Sequence, residues 1–140
     1  MNKARVLLAD DNFALAKMLA EILEDEFELV DVVHDGPALL KAAQKLRPDV
    51  IVTDISMPRM SGLEVARQLK HDGASAKVII LSVHQEPELA AMALRDGASG
   101  YVVKESAGEE LLTALHEVLR GRCYFTPLIT EKMRSQSGRR

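Results

Sequence analysis

Short apolar runs recur along the chain at nearly regular spacing: Val6 to Ala9, Leu29 to Val33, Val50 to Val52, Val78 to Leu81, and Tyr101 to Val103. They are too short for helices and rich in β-branched residues, so they read as strands. Between them, Leu39, Ala42, Ala43 and Leu46, and later Leu111, Leu112, Leu115, Val118 and Leu119, repeat with helical period. Ser61-Gly-Leu-Glu64 and Ser106-Ala-Gly-Glu109 have the form of capping boxes, Pro87 suits a first helical turn, and Gly73, Gly97 and Gly121 fall where helices should stop. Strands apolar throughout, each followed by a helix, imply a parallel sheet covered on both faces. The expected fold is α/β, a doubly wound (βα)5 sandwich with a five-stranded parallel sheet.

The pattern changes after Gly121. Tyr124-Phe125 leads to a Thr126-Pro127 step that can open a short helix, and the chain then runs into Ser-Gln-Ser-Gly-Arg-Arg. We therefore expect one domain over residues 1–121 and a linker or C-terminal tail over 122–140. The whole chain has 140 residues, 47% of them hydrophobic, which is enough for one substantial core and too little for two ordinary domains.

A formal net charge of -3, spread over both signs, gives no global signature of a nucleic-acid binder or a membrane-surface protein. The N-terminus lacks the apolar core and cleavage site of a signal peptide, and no apolar run approaches the length of a membrane span. The single cysteine, Cys123, has no internal disulfide partner. The cytoplasm is the expected compartment.

In an open parallel sheet, ligands bind outside the carboxyl ends of the strands. The first run ends in Asp10-Asp11, the third in Asp54, the fourth in Ser82 and the fifth in Lys104. Carboxylates gathered at one edge repel one another unless a cation shares the site, and hard oxygen ligands favour Mg2+. Lys104 adds a positive charge and Ser82 a hydroxyl donor. Such a site suits a phosphoryl group, whose transfer depends on positioning and charge neutralisation, and Asp54 is the natural nucleophile. Each residue alone has an ordinary explanation, since acids at strand ends often cap helices and a strand-end serine is usually a turn residue. Their joint arrival at one edge is what points to chemistry.

The set Asp10-Asp11, Asp54-Ile-Ser-Met-Pro58-Arg-Met-Ser-Gly62, Ser82 and Tyr101-Val-Val-Lys104 resembles the response-regulator receiver family over residues 4 to about 121. The resemblance implies a strand order of 2-1-3-4-5 and a metal held by Asp10, Asp11, Asp54 and the backbone carbonyl of Ser56. It also implies phosphorylation of Asp54 by a sensor histidine kinase, with Ser82 and Lys104 assisting and with Ser82 and Tyr101 as the switch pair. By the same resemblance the domain catalyses only its own phosphoryl transfer and dephosphorylation, and it controls an output, transcription first among the candidates. Glu105 stands where many receivers have a proline after the lysine.

Gly-Tyr-Val-Val-Lys-Glu-Ser and the Arg122-Cys-Tyr-Phe-Thr-Pro segment are most similar to receivers of the NarL/LuxR class. There a DNA-binding helix-turn-helix domain normally follows. These residues contain none, so DNA binding is expected only through such a domain and not by this chain alone. The apolar run Leu89-Ala-Ala-Met-Ala-Leu94 exceeds what one helix face needs, so part of it should stay exposed. With the fifth strand at the sheet edge, that surface would support a phosphorylation-dependent homodimer.

His34, His71, His84 and His116 lack ligand spacing and read as surface or half-buried residues, with His84 alone at a family position that modulates dephosphorylation. Met57 and Met60 read as packing under the loop. A haloacid-dehalogenase-type phosphatase would need an Asp-x-Asp nucleophile after the first strand, and a flavodoxin-like carrier would need a first loop that accepts phosphate. Neither fits Asp10-Asp11. The remaining alternative is a receiver-fold adaptor that works through protein contacts without phosphorylation.

Overall fold

The computed structural model describes residues 3–137, and in it each apolar run becomes a strand. The chain alternates β1 (Arg5–Ala9), α1 (Phe13–Glu24), β2 (Glu28–Val33), α2 (Gly36–Leu46), β3 (Val50–Asp54), α3 (Gly62–His71), β4 (Lys77–Ser82), α4 (Pro87–Arg95), β5 (Gly100–Val103) and α5 (Ala107–Leu119). It then adds β6 (Tyr124–Phe125) and α6 (Pro127–Ser137). All neighbouring strands pair in parallel.

Successive side chains leave a strand on opposite faces, and the two halves of the core follow from that. Leu7, Ala9, Ile51 and Ile80 pack with α2, α3 and α4, whereas Val6, Leu8, Val52 and Leu81 pack with α1 and α5. β1, β3, β4 and β5 are buried on both faces along nearly their whole length, and for this reason they carry no polar alternation.

The helix signals hold with one exception. Ser61 and Glu64 form the reciprocal capping box of α3, Pro87 opens α4, and Gly73, Gly97 and Gly121 lie at φ of 75°, 105° and 84° just beyond α3, α4 and α5. Ser106 makes no cap hydrogen bond, because a 3-10 turn over Lys104–Ser106 delivers the backbone to Ala107 already in helical geometry. The Lys104–Glu105 peptide is trans.

The expected five-stranded sheet requires correction. The sheet has six strands in the order β2-β1-β3-β4-β5-β6, so β5 is internal and does not form the edge. Gly100 faces Tyr124 across the new pair, where a Cβ would come within 3.3 Å of the Tyr124 carbonyl oxygen and 3.2 Å of Ile79. A side chain there would crowd both neighbours, so the glycine eases the approach of the last strand. Two residues are too few to leave a periodic signal, which is why pattern alone reads this stretch as connecting chain.

The segment expected as linker or tail is therefore folded against the rest of the chain through its described part, while residues 138–140 lie outside the described residues. Ile129 of α6 is fully buried among the residues that include Ala90 and Ala93 of α4 and Tyr101 and Val103 of β5. Met92 and Leu94 of α4 remain exposed, as the excess of apolar residues in that helix predicts. Among the described residues no helix is long and apolar enough to cross a membrane.

Candidate functional site

Because the strands are parallel, their carboxyl ends share one edge, and the four expected strand ends meet there. Asp10 follows β1, Asp54 is the last residue of β3, Ser82 is the last of β4, and Lys104 opens the turn after β5. Lys104 Nζ lies 2.9 Å from Asp54 Oδ2 and 3.3 Å from Asp10 Oδ2. Asp10, Asp11 and Asp54 each present a carboxylate oxygen within 4.8 Å of the others, and among the described residues no other group of His, Cys, Asp and Glu side chains does so. Asp11 is exposed, whereas Asp10 and Asp54 are buried.

The charges do not balance. Three carboxylates face one ammonium, and Asp10 Oδ2 is buried with no hydrogen-bond partner despite its ion pair with Lys104. Burial pushes the Asp54 carboxyl above its ordinary pKa. Lys104 and the Ser56 N–H pull against that without cancelling it, and the Asp10 charge adds to the rise. Burial alone would lower the pKa of Lys104, but Asp54 and Asp10 together hold the ammonium above its ordinary value. A buried carboxylate oxygen held only by its ion pair with Lys104, in an all-oxygen cluster with more negative than positive charge, fits a hard divalent cation.

The loop after β3 keeps its backbone beside this cluster. Ser56 donates its N–H to Asp54 Oδ1 at 3.2 Å, and the Gly62 N–H donates to the Ile55 carbonyl at 3.0 Å. Gly62 is needed for proximity: a Cβ there would lie 2.3 Å from the Asp54 carbonyl oxygen. Pattern reading missed Thr53, which is buried and donates its hydroxyl to the Asp54 carbonyl at 3.0 Å. Its polar side chain inside an otherwise apolar run was the available signal.

Ser82 and Tyr101 are both fully buried. The Ser82 hydroxyl oxygen accepts the His84 N–H at 3.0 Å, and the Tyr101 hydroxyl donates to the His84 carbonyl at 3.0 Å. The two side chains thus engage the same residue of the β4–α4 loop. Burial raises the pKa of the Tyr101 phenol, against a hydrogen bond with Ser82 that lowers it. The imidazoles of His71 and His84 are exposed, and that of His116 meets Glu26 at 2.6 Å, far from the cluster in the fold. His34 is half-buried against Asp10. Asn12 caps α1 by accepting the Leu15 N–H, its ordinary structural role. Met57 and Met60 pack partly buried against the core, and Cys123 is exposed.

Residues 6–116 match the family described as the response regulator receiver domain. The transcriptional regulatory protein DegU of Brevibacillus brevis is 34% identical over 134 residues, covering 94% of this chain and 57% of DegU. The chain thus spans little more than half the length of that relative. Among solved structures, a two-component response regulator of the LuxR family from Aurantimonas sp. SI85-9A1 superposes with a TM-score of 0.91 at 28% identity, covering 97% of this chain and 99% of that one. A structure of two RcsB dimers bound to two parallel DNAs gives a TM-score of 0.83 at 25% identity, covering 93% and 67%. A family match over most of the chain, and relatives that are NarL/LuxR-type regulators, agree with the doubly wound fold and its acidic edge: the chain belongs to the response regulator receiver domain family of two-component signal transduction.

Proposed function

We propose that Asp54 accepts a phosphoryl group from a sensor histidine kinase in a Mg2+-dependent reaction, and that Ser82 and Tyr101 convert its arrival into a conformational change. The observation that carries this reading is the meeting of Asp10, Asp11 and Asp54 with Lys104 at one sheet edge, with Asp10 Oδ2 left without a hydrogen bond. Asp10, Asp11, Asp54 and the Ser56 carbonyl are the groups to hold Mg2+, which when bound neutralises charge on the incoming phosphoryl oxygens. Lys104 supplies a second positive charge. Asp54 attacks through a carboxylate oxygen, and the bond to the donor's leaving group breaks. The chain acts as a switch and catalyses only its own phosphorylation and dephosphorylation.

The output we infer is transcriptional, exerted through a DNA-binding domain outside these residues, as the name of DegU supports. The compartment is the cytoplasm. Phosphorylation-dependent self-association is supported by the dimers named for RcsB and by the exposed Met92 and Leu94 of α4, but not by an open β5 edge, which β6 covers. Sedimentation with beryllofluoride should show a dimer that Met92→Asp abolishes. A monomer under both conditions contradicts it.

Incubation with acetyl phosphate and Mg2+, followed by intact mass measurement, tests the switch. A single phosphoryl adduct is the expected result. Continuous release of inorganic phosphate from many substrates would instead indicate a phosphatase, and no adduct a non-phosphorylated adaptor.

A further inference from the structure

Among the first five strands, β2 alone ends in no group of the proposed phosphoryl site, yet the residues that follow it hold both halves of that site. The Asp10 N–H donates to the Val33 carbonyl at 3.1 Å. His34 Nδ1 lies 2.8 Å from the Asp10 carbonyl oxygen, which can only accept, so that nitrogen carries the proton. The imidazole is in turn stacked on Phe13, with centroids 3.9 Å apart. Asp10 is therefore fixed through its backbone on both sides of its α-carbon.

The next residue reaches the other half. Asp35 caps α2 with one oxygen, Oδ1, which accepts the Ala38 N–H at 2.8 Å. Its second oxygen, Oδ2, pairs with Arg59 Nη2 at 2.7 Å. Beside that pair, the Gly36 N–H points at the Pro58 carbonyl at 3.4 Å. Residues 33–36 thus touch the backbone of the first acid and the loop that carries Ser56.

Arg59 has an unusual backbone. It lies at φ 68°, in a tight turn closed by the Met60 N–H on the Pro58 carbonyl at 2.8 Å. That region is costly for a residue with a Cβ, and strain of this kind persists only where surrounding contacts fix it. Packing does not demand an arginine there, because its side chain is 70% exposed. What the residue contributes is its pair with Asp35.

We propose that His34 and Asp35 form a brace that sets the position of Asp10 relative to the Ser56 carbonyl before a cation arrives, so that Asp35 and Arg59 are positioning residues for Mg2+. This rests on the reading of the carboxylate cluster as a Mg2+ site. Mg2+ demands near-ideal octahedral geometry, so ligands drawn from two separate loops bind it well only when those loops are held in register. Partners that orient ligands without touching the metal commonly control its affinity. An exposed ion pair contributes little to folding, so the effect should appear in metal affinity and not in stability.

Calorimetric titration of the full unphosphorylated chain with MgCl2 tests the brace. Asp35→Asn keeps an oxygen to cap α2 but loses the charge, and Arg59→Gly removes the guanidinium while relieving the positive φ. Each should weaken Mg2+ binding by about tenfold, the lower end of what outer partners of a metal contribute. The double variant should be no weaker than either single one, Arg59→Lys should retain most of the affinity, and no variant should melt below the wild type in the absence of metal. Wild-type Mg2+ affinity in both single variants overturns the brace, as does a loss of affinity that tracks a loss of stability. A wild-type chain that binds no Mg2+ overturns the metal site itself and the brace with it.

Discussion

Thr126 and Val103 are joined by a buried hydrogen bond: the Val103 N–H donates to the Thr126 hydroxyl oxygen at 2.9 Å, and Thr126 is 3% exposed. The Thr126 N–H donates in turn to the Tyr101 carbonyl at 3.0 Å. The last strand and helix are thereby tied to the strand that carries the proposed switch residue. Thr126→Val removes the acceptor and leaves the Val103 N–H buried and unsatisfied, which should cost about 1–3 kcal/mol. Urea denaturation measures it, and Thr126→Ser should recover most of the loss. If residues 124–137 were only a tethered tail, neither substitution would change the midpoint.

The same attachment predicts a pH dependence at the alkaline end. The Tyr124 phenol donates to Glu110 Oε1 at 2.9 Å, and burial, together with the hydrogen bond and charge of that carboxylate, raises its pKa far above the ordinary value. A group whose pKa is raised on folding contributes stability that is fully present below its unfolded pKa, about 10 for tyrosine, and is lost as pH rises beyond it. Stability should therefore fall above that pH more steeply in the wild type than in Tyr124→Phe. Melting temperatures of the two proteins across the alkaline range check this, and parallel curves contradict it.

Much of this architecture could be read from residue pattern, because the forces that set it are local or periodic. Five strands, their helices and the glycine stops follow from apolar runs and backbone preferences, and the shared edge of Asp10, Asp54, Ser82 and Lys104 follows from parallel pairing. What pattern could not show depends on distant approach. Gly100 looks like any loop glycine until Tyr124 packs on it, Thr126 looks like a turn residue until Val103 meets it, and Arg59 gives no sign of its positive φ. His34 likewise reads as an isolated histidine, since its partner, the Asp10 carbonyl, is backbone.

Ser82 and Tyr101 converge on His84 from two sides, one accepting its N–H and the other donating to its carbonyl. A phosphoryl oxygen that draws the Ser82 hydroxyl away should release one of these contacts and alter the ring environment of Tyr101. Ser82→Ala should still accept a phosphoryl group from acetyl phosphate, yet lose most of the beryllofluoride-induced shift in the Tyr101 ring resonances. A variant with the wild-type shift contradicts the coupling.

Removal of the cation should stop phosphorylation, since three carboxylates would then face an incoming group of the same sign across one lysine. Asp11 is the exposed member of the cluster and has little part in the core. Asp11→Ala should lower Mg2+ affinity and labelling together while leaving the melting temperature near the wild-type value. Labelling that is undiminished in excess chelator contradicts the metal requirement.

The central claim is that Asp54 alone receives the phosphoryl group: it shares burial, a Lys104 contact and two neighbouring carboxylates with Asp10, but its lysine contact is the shorter, 2.9 Å against 3.3 Å, and it alone ends the central strand at the position that the receiver pattern phosphorylates. Intact mass measurement of wild type and Asp54→Asn after incubation with acetyl phosphate and Mg2+ tests it most directly. The account predicts a single phosphoryl adduct on the wild type and none on the variant. Equal labelling of the two proteins contradicts it.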